Sequence, residues 1–308
     1  MELVVRREAE LLCQALLALP APARAVVLGD LAAAVTGFLA EVLDWFSFLE
    51  LGGSEPGPTT FAMPSIEEHP QNHHYETWTW LIDLVREGVL ALHQTKPELT
   101  RSVVAQWHTI DSPLFRRLTL FAATYVESVG VSIGAEVLAA KNNIALWHSD
   151  TKRECMRFFR TAATRLSNAQ REGLISAILN GPPTMAAWEA ADPEAERRWR
   201  NREVGNRLLR LSLGGVQLPA QARERLEQIS ALLGRELDED ERDEFAVWMG
   251  EDQTGKKYTV AELAEHSIGD LAVLLAQDGG DDVERQSLML AWQGLVANEL
   301  GKVLAVLQ

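Results

Sequence analysis

The feature that most constrains this chain is the spacing of its apolar residues, which repeats with the helical period almost from end to end. Trp78, Leu81, Ile82, Val85, Val89 and Leu92 fall at i, i+3, i+4, i+7, i+11 and i+14, one stripe of a helix. Leu114, Leu118, Phe121 and Tyr125 form a second stripe, and Met156, Phe159, Ala163 and Leu166 a third. Leu174, Ile175, Ile178 and Leu179 follow, then Val204, Leu208 and Leu211, then Leu226, Ile229 and Leu233. Leu288, Trp292, Leu295, Val296, Val303 and Leu307 make the last. No segment alternates with a period of two between turn signals, so no sheet is predicted.

Start and stop signals punctuate these stripes. Ser112-Pro113 reads as a cap followed by proline at the first helical position. Ser167-x-x-Gln170, Thr259-x-x-Glu262 and Thr95-x-x-Glu98 have the capping-box pattern. Gly130, Gly181-Pro182-Pro183, Gly214-Gly215 and Gly279-Gly280 are stops. The pattern predicts an all-α fold, an irregular stack of antiparallel helix pairs of the α-solenoid or HEAT-like kind. Residues 1–51 read as an N-terminal helical hairpin, 52–72 as a Pro- and Gly-rich loop, and 73–308 as the main array, with one continuous domain as the alternative; shorter breaks are expected at 142–151 and 250–258. The tetratricopeptide and ankyrin signatures are absent.

Charge and cysteine content narrow the function classes. A net charge of −15 repels a phosphate backbone on average. The arginine-rich segment 197–210 (Arg197, Arg198, Arg200, Arg202, Arg207 and Arg210) is interleaved with Glu194, Glu196 and Glu203, and reads as a solvated helix face with i,i+4 ion pairs. The acidic run 236–244 reads as a solvated loop and helix start. Cys13 and Cys155 are far apart and read as reduced core thiols. No signal peptide is recognisable and no run reaches the ~18 continuous apolar residues of a membrane span, so a cytoplasmic location is expected. Of the nine tryptophans, Trp78, Trp107, Trp199 and Trp292 lie on or beside stripes and are expected in the core. Trp45, Trp147, Trp188 and Trp248 lie near helix ends, where half-exposed packing and an interaction surface are expected.

Three local patterns bear on chemistry. Gly130-Val-Ser132-Ile-Gly134 fits the G-x-S-x-G of hydrolases, with His148, His266, Asp192 and Asp270 downstream. That motif requires a strand before the serine, whereas residues 121–129 continue a helical stripe, so a helix stop at Gly130 and a cap at Ser132 is the reading adopted. The segment 250–257, Gly-Glu-Asp-Gln-Thr-Gly-Lys-Lys, approaches a phosphate-binding loop but holds Lys257 where the magnesium-binding hydroxyl belongs. His69, His73 and His74, with Glu67, Glu68 and Glu76 nearby, offer imidazoles for a metal, though not in HExxH spacing. The acidic stretches 238–240 and 278–282 lack the glycine and glutamate positions of a calcium loop. Neither a catalytic set nor a cofactor or metal is assigned.

Four phrases together resemble a known group of proteins. They are Gln106-Trp-His-Thr-Ile-Asp-Ser-Pro-Leu-Phe-Arg-Arg-Leu-Thr-Leu120, the stretch 158–183 ending in Asn-Gly-Pro-Pro, 207–229 with its Leu-Gln-Leu-Pro break, and 258–277 with Thr-Val-Ala-Glu-Leu-Ala-Glu-His-Ser-Ile-Gly-Asp-Leu. They resemble the helical, HEAT-like regions of large bacterial proteins that join such an array to an NTPase or sirtuin-like NADase domain, many of them active in antiphage defence. The resemblance implies a sensor, scaffold or oligomerisation surface, with catalytic residues in another domain. It also implies that the chain is an arm of a longer protein or a stand-alone arm. The expectation is therefore a non-enzymatic module that binds a protein partner or another domain. Its rivals are an enzyme with a scattered site, at Ser132 or at His69, His73 and His74, and a nucleic-acid-sensing arm using segment 197–210.

Overall fold

A computed structural model describes residues 6–48, 58–72, 77–183, 192–234, 237 and 240–248, together with the single positions 263, 264, 267, 271 and 292. The chain divides into two compact units, residues 1–248 and 249–308. The Gly279-Gly280 stop, the Thr259 capping box and all of the last stripe except Trp292 lie outside the described residues. The first unit carries the description that follows.

Among the described residues the fold is all-helical. The α-helices are α1 (Arg6–Leu17), α2 (Ala21–Phe48), α3 (Pro58–Ala62), α4 (Trp80–Thr95), α5 (Pro97–Thr109), α6 (Pro113–Tyr125), α7 (Ser132–Trp147), α8 (Lys152–Thr161), α9 (Asn168–Asn180), α10 (Pro193–Leu213) and α11 (Ala220–Leu233). Single 3₁₀ turns occupy Thr77–Thr79, Ser149–Thr151, Ala163–Arg165 and Glu241–Glu244.

Several boundaries follow the sequence signals. Ser167 and Gln170 form a complete capping box at the start of α9, and Gly181 ends that helix with φ 77°. Proline occupies the first turn of α5, α6 and α10. The Thr95–Glu98 box does not form. Thr95 is the last residue of α4 and its hydroxyl donates back to the Ala91 carbonyl, while Lys96 alone separates α4 from α5. In α7 the residue before the helix is Val131, and Ser132 is already helical. That helix is broken at 140–143, where Lys141, Asn142 and Asn143 have φ of 48°, 59° and 62°. Asparagine tolerates this left-handed conformation, and Lys141 is held by a 2.5 Å ion pair to Asp111.

Two apolar cores flank α6. One draws Leu28, Val35 and Leu39 of α2 together with Ile82, Val85 and Val89 of α4, Trp107 of α5, and Leu114, Leu118 and Phe121 of α6. The other joins Leu120 and Ala123 of α6 to α7–α11 through Val137, Met156, Phe158, Phe159, Ile178, Leu208 and Ile229. Every residue from 114 to 124 except Arg116 is buried, so α6 is enclosed on all sides and the predicted single stripe understates its contacts. Its buried threonines are satisfied within the helix, Thr119 donating to Phe115 and Thr124 to Leu120.

The N-terminal hairpin is part of this body. Leu28, Ala32, Val35 and Leu39 are the buried face of α2, which packs along α4. The approach is close enough that a Cβ on Gly88 would meet the Ala32 backbone at 3.3 Å. The hairpin and the helices after segment 52–72 thus share one compact unit. The described part of that segment is packed, with Met63, Ser65 and Ile66 fully buried. Trp107 is fully buried, whereas Trp78, Trp199 and Trp292 are only half-buried.

Candidate functional site

The most concentrated chemistry in the first unit lies on one face of α8. Cys155, Met156, Phe158 and Phe159 enter the core, which leaves Arg153, Arg157 and Arg160, at i, i+4 and i+7, on the opposite side. These arginines meet two segments that carry little regular structure, 63–72 and 240–248. Glu244, fully buried, accepts from Arg153 at 2.5 Å and from Arg160 at 3.3 Å, and lies 3.3 Å from Nε of Arg210 and 4.0 Å from Arg157. Arg153 also donates to Glu241 at 2.7 Å, and its guanidinium stacks 4.2 Å over the Phe245 ring. Arg210 donates to the Asp240 carbonyl at 2.7 Å. Arg157 donates to Glu67 at 2.8 Å and to the Tyr125 hydroxyl at 3.2 Å.

A second, deeper pair anchors the other segment. Glu154 accepts from Arg117 Nε at 2.8 Å and from the Ile66 amide at 2.7 Å; Arg117 Nη2 donates to the Met63 carbonyl at 2.7 Å. Arg86 donates to the Ile66 carbonyl at 3.0 Å. Backbone groups of 63–66 that have no helical partner are thus taken up by buried side chains, as burial demands.

The network shifts the titration of His69, Glu241 and Tyr125. Burial and the neighbouring Arg153 push His69 below its ordinary value, against the pull of Glu241, so its imidazole is kept neutral. Its Nδ1 accepts from the Gln71 amide, and the ring packs on Phe245 and Trp248. Burial would raise Glu241, but the hydrogen bond and charge of Arg153 outweigh it and hold the carboxyl below its usual range. Burial, with the Glu67 carboxylate beside it, pushes the Tyr125 phenol up to about 12. Burial likewise pushes Cys13 and Cys155 to about 12, which makes both inert thiols, in line with their reading as core residues.

The sequence candidates fall as follows. Ser132 is exposed at the start of α7 with no strand before it among the described residues. Asp192 caps α10 by accepting from the Ala195 amide, and His148 accepts from the Asp150 amide. The geometry brings neither to Ser132 as a base or its orienter. His266, Asp270 and the segment 250–257 lie outside the described residues, as do His73 and His74. Among the described residues no group of three metal-ligating side chains is assembled, and His69 is committed to the aromatic and ionic contacts above.

Two charge readings need correction. In segment 197–210, Arg197 and Arg198 are exposed, but Arg207 and Arg210 are completely buried. Arg207 donates to Glu203 at 2.6 Å and to the Leu146 carbonyl at 2.7 Å, and lies over the Trp147 ring. These two arginines face protein and are closed to a nucleic acid. The acidic run 236–244 is not wholly solvated either, because Glu244 sits inside the arginine cluster. No sequence pattern pointed to Glu244, Glu154 or Arg117. The visible signal was the i, i+4, i+7 arginine row opposite the Met and Phe positions of α8.

A different surface carries apolar residues outward. The stretch Ala21–Phe46 of α2 is long and apolar enough to cross a membrane by length and composition, and only 33% of its most apolar window is buried. Leu31, Phe38 and Trp45 lie at i, i+7 and i+14 on its outer side, with Phe38 60% and Trp45 52% exposed. Leu11 and Leu12 of α1 are exposed as well, and Asp30, Glu41 and Asp44 punctuate the stripe with acids.

No protein family and no solved structure matches the chain. It is similar to uncharacterized protein y4cA of Sinorhizobium fredii (strain NBRC 101917 / NGR234), 30% identical over 205 residues; the similarity covers 65% of this chain and spans only 17% of that protein.

Proposed function

We propose that the chain is a non-enzymatic helical interaction module, a scaffold or sensor arm whose α2 face docks a helix of another protein or of another domain. The observation that carries this reading is the outward row Leu31, Phe38 and Trp45 on α2, a run of exposed large apolar side chains at heptad spacing. Such a row receives a partner helix carrying its own apolar stripe, and the exposed Glu41 and Asp44 favour basic residues beside that stripe.

Three further observations support it. The ionisable groups of the α8 cluster are paired with one another, which is how a cluster holds structure and not how it poises an acid or base. From α6 to α9 each helix touches the next but one (α6 with α8, α7 with α9, α8 with α10, α9 with α11), which supports reading the helices as a stacked array. The similarity to a short part of a much longer protein suits an arm joined to other domains. On this reading the arm serves a larger bacterial protein of the antiphage-defence kind that the sequence resembles.

The test is co-purification of the tagged chain from its native host, compared with a Leu31→Lys, Phe38→Lys variant of unchanged circular dichroism. Retention of a stoichiometric protein by the wild type, and its loss in the variant, is expected. A wild type that elutes alone, or a variant that retains the partner equally, overturns the reading.

A further inference from the structure

An uninterrupted α7 would carry Lys141 into the core. Gly134, Val137 and Leu138 are buried before the break in this helix, and Ala145 is buried after it. Counted from Gly134 along a regular helix, the last three sit at i+3, i+4 and i+11, and Lys141, at i+7, falls in the middle of the same stripe. Placing an ammonium among apolar side chains is strongly unfavourable.

The break avoids that burial. Ala140 leaves the helix with ψ 153°, and Lys141, Asn142 and Asn143 turn left-handed. Lys141 is thereby exposed and reaches Asp111 at 2.5 Å, a carboxylate that Arg116 also holds. The register beyond the break changes too. Leu146, which a regular helix would carry about 120° away from Gly134, is completely buried, while Ile144 is exposed. Three successive left-handed residues with side chains are unfavourable in themselves. A cavity of about 90 Å³ lies beside the break, lined by Val137, Ala140, Lys141 and Ile144 of α7 and by Trp107 and Thr119 from α5 and α6.

We propose that α7 has two arrangements, broken and continuous, and that the charge at position 141 selects between them. With the ammonium present, the cost of burying it outweighs the left-handed strain, and Asp111 holds the broken form. Loss of that charge removes the reason for the break. Residues 140–143 then close into regular helix, with side chain 141 turned toward the cavity.

The test is the sign of one substitution in two backgrounds, read by thermal unfolding of the full 308-residue chain. Asn142 is exposed, so Asn142→Ala alters backbone preference and little else. Alanine is disfavoured in the left-handed region and favoured in a helix. In the wild type the substitution should lower Tm by about 2–4 °C. In Lys141→Met, which puts an apolar side chain on the stripe, it should raise Tm instead. Amide exchange of residues 140–144 should also slow by about tenfold from wild type to Lys141→Met. Lys141→Ala is read in the same way if Lys141→Met does not fold. A fall in Tm in both backgrounds, or exchange unchanged by loss of the charge, means that the rest of the fold fixes the break, and overturns the proposal. A rise in both backgrounds overturns it as well, since the wild-type helix would then already be continuous.

Discussion

Two of the polar bridges inside the first unit differ in kind. Between α2 and α5, Trp107 Nε1 donates to the Thr36 hydroxyl at 3.1 Å, and Thr36 donates on to the Ala32 carbonyl at 2.8 Å. Between α6 and α8, Arg117 and Glu154 form a bidentate ion pair with both side chains buried. The neutral bridge completes a contact between two helices whose backbones are already satisfied and whose apolar faces already fit. The ionic bridge reaches beyond its helices to the Met63 carbonyl and the Ile66 amide. Apolar packing is non-directional and sets helix against helix. It does not specify the path of an irregular segment, whose amides and carbonyls need donors and acceptors placed one by one. Charged side chains are used in this protein where that need arises, at 63–67 and again at 240–244.

The comparison breaks most clearly at Glu154. Glu154→Ala strands the Arg117 guanidinium in the core, and removing one partner of a buried pair costs about 3–5 kcal/mol. Urea unfolding should show that loss. The double variant Arg117→Met, Glu154→Leu removes the stranded charge and should recover part of it. It should still fall short of wild type by about 1–3 kcal/mol, because the Met63 carbonyl and Ile66 amide lose their partners. Full recovery would show that the pair does nothing for segment 63–67.

The neutral bridge should respond less. Thr36→Val keeps the volume of the side chain but leaves the indole N–H of Trp107 without an acceptor. A loss of about 1–3 kcal/mol is expected, without change in the exchange protection of residues 63–67. A loss as large as that of Glu154→Ala would erase the distinction between the two bridges.

What was legible in the sequence follows the same division. The apolar rows at Ile82–Val85–Val89, Leu114–Leu118–Phe121 and Met156–Phe159 are buried, because helix period alone decides which side chains share a face. The burial of Arg207, Arg210 and Glu244 was not legible. Interleaved charges along one helix look solvated when their partners are unknown, and Arg153 meets Glu244 across 91 residues of chain. The Pro- and Gly-rich composition around residue 60 concealed the buried Met63 and Ile66 for a related reason. Their backbone is bonded by Arg117 and Glu154, which contribute nothing to local periodicity. His69 was visible as a chemical group, but its aromatic neighbours Phe245 and Trp248 lie far along the chain and made the metal reading look simpler than the site is.

The smallest effect expected concerns that histidine, and it separates the 240–248 contacts from the deep pair. His69 is held neutral in the fold, below the 6.5 at which an unconstrained histidine titrates. Below that pH the unfolded chain takes up a proton that the folded chain refuses, so stability is complete above pH 6.5 and declines as pH falls toward the folded value. The carboxyls of Glu241 and Glu203, both held below their ordinary 4.5, add their own loss only at lower pH, as they are protonated in the fold. Chemical denaturation between pH 7 and pH 5 should therefore show a shallow decline for the wild type. In His69→Phe, which keeps an aromatic ring against Phe245 and Trp248, that slope should vanish while the steeper loss below pH 4.5 remains. Glu154→Ala should keep the shallow slope, since His69 feels the charges of Glu241 and Arg153 and not those of the Arg117 pair. An unchanged slope in His69→Phe would mean that the contacts at 240–248 do not discriminate between the protonation states of this ring.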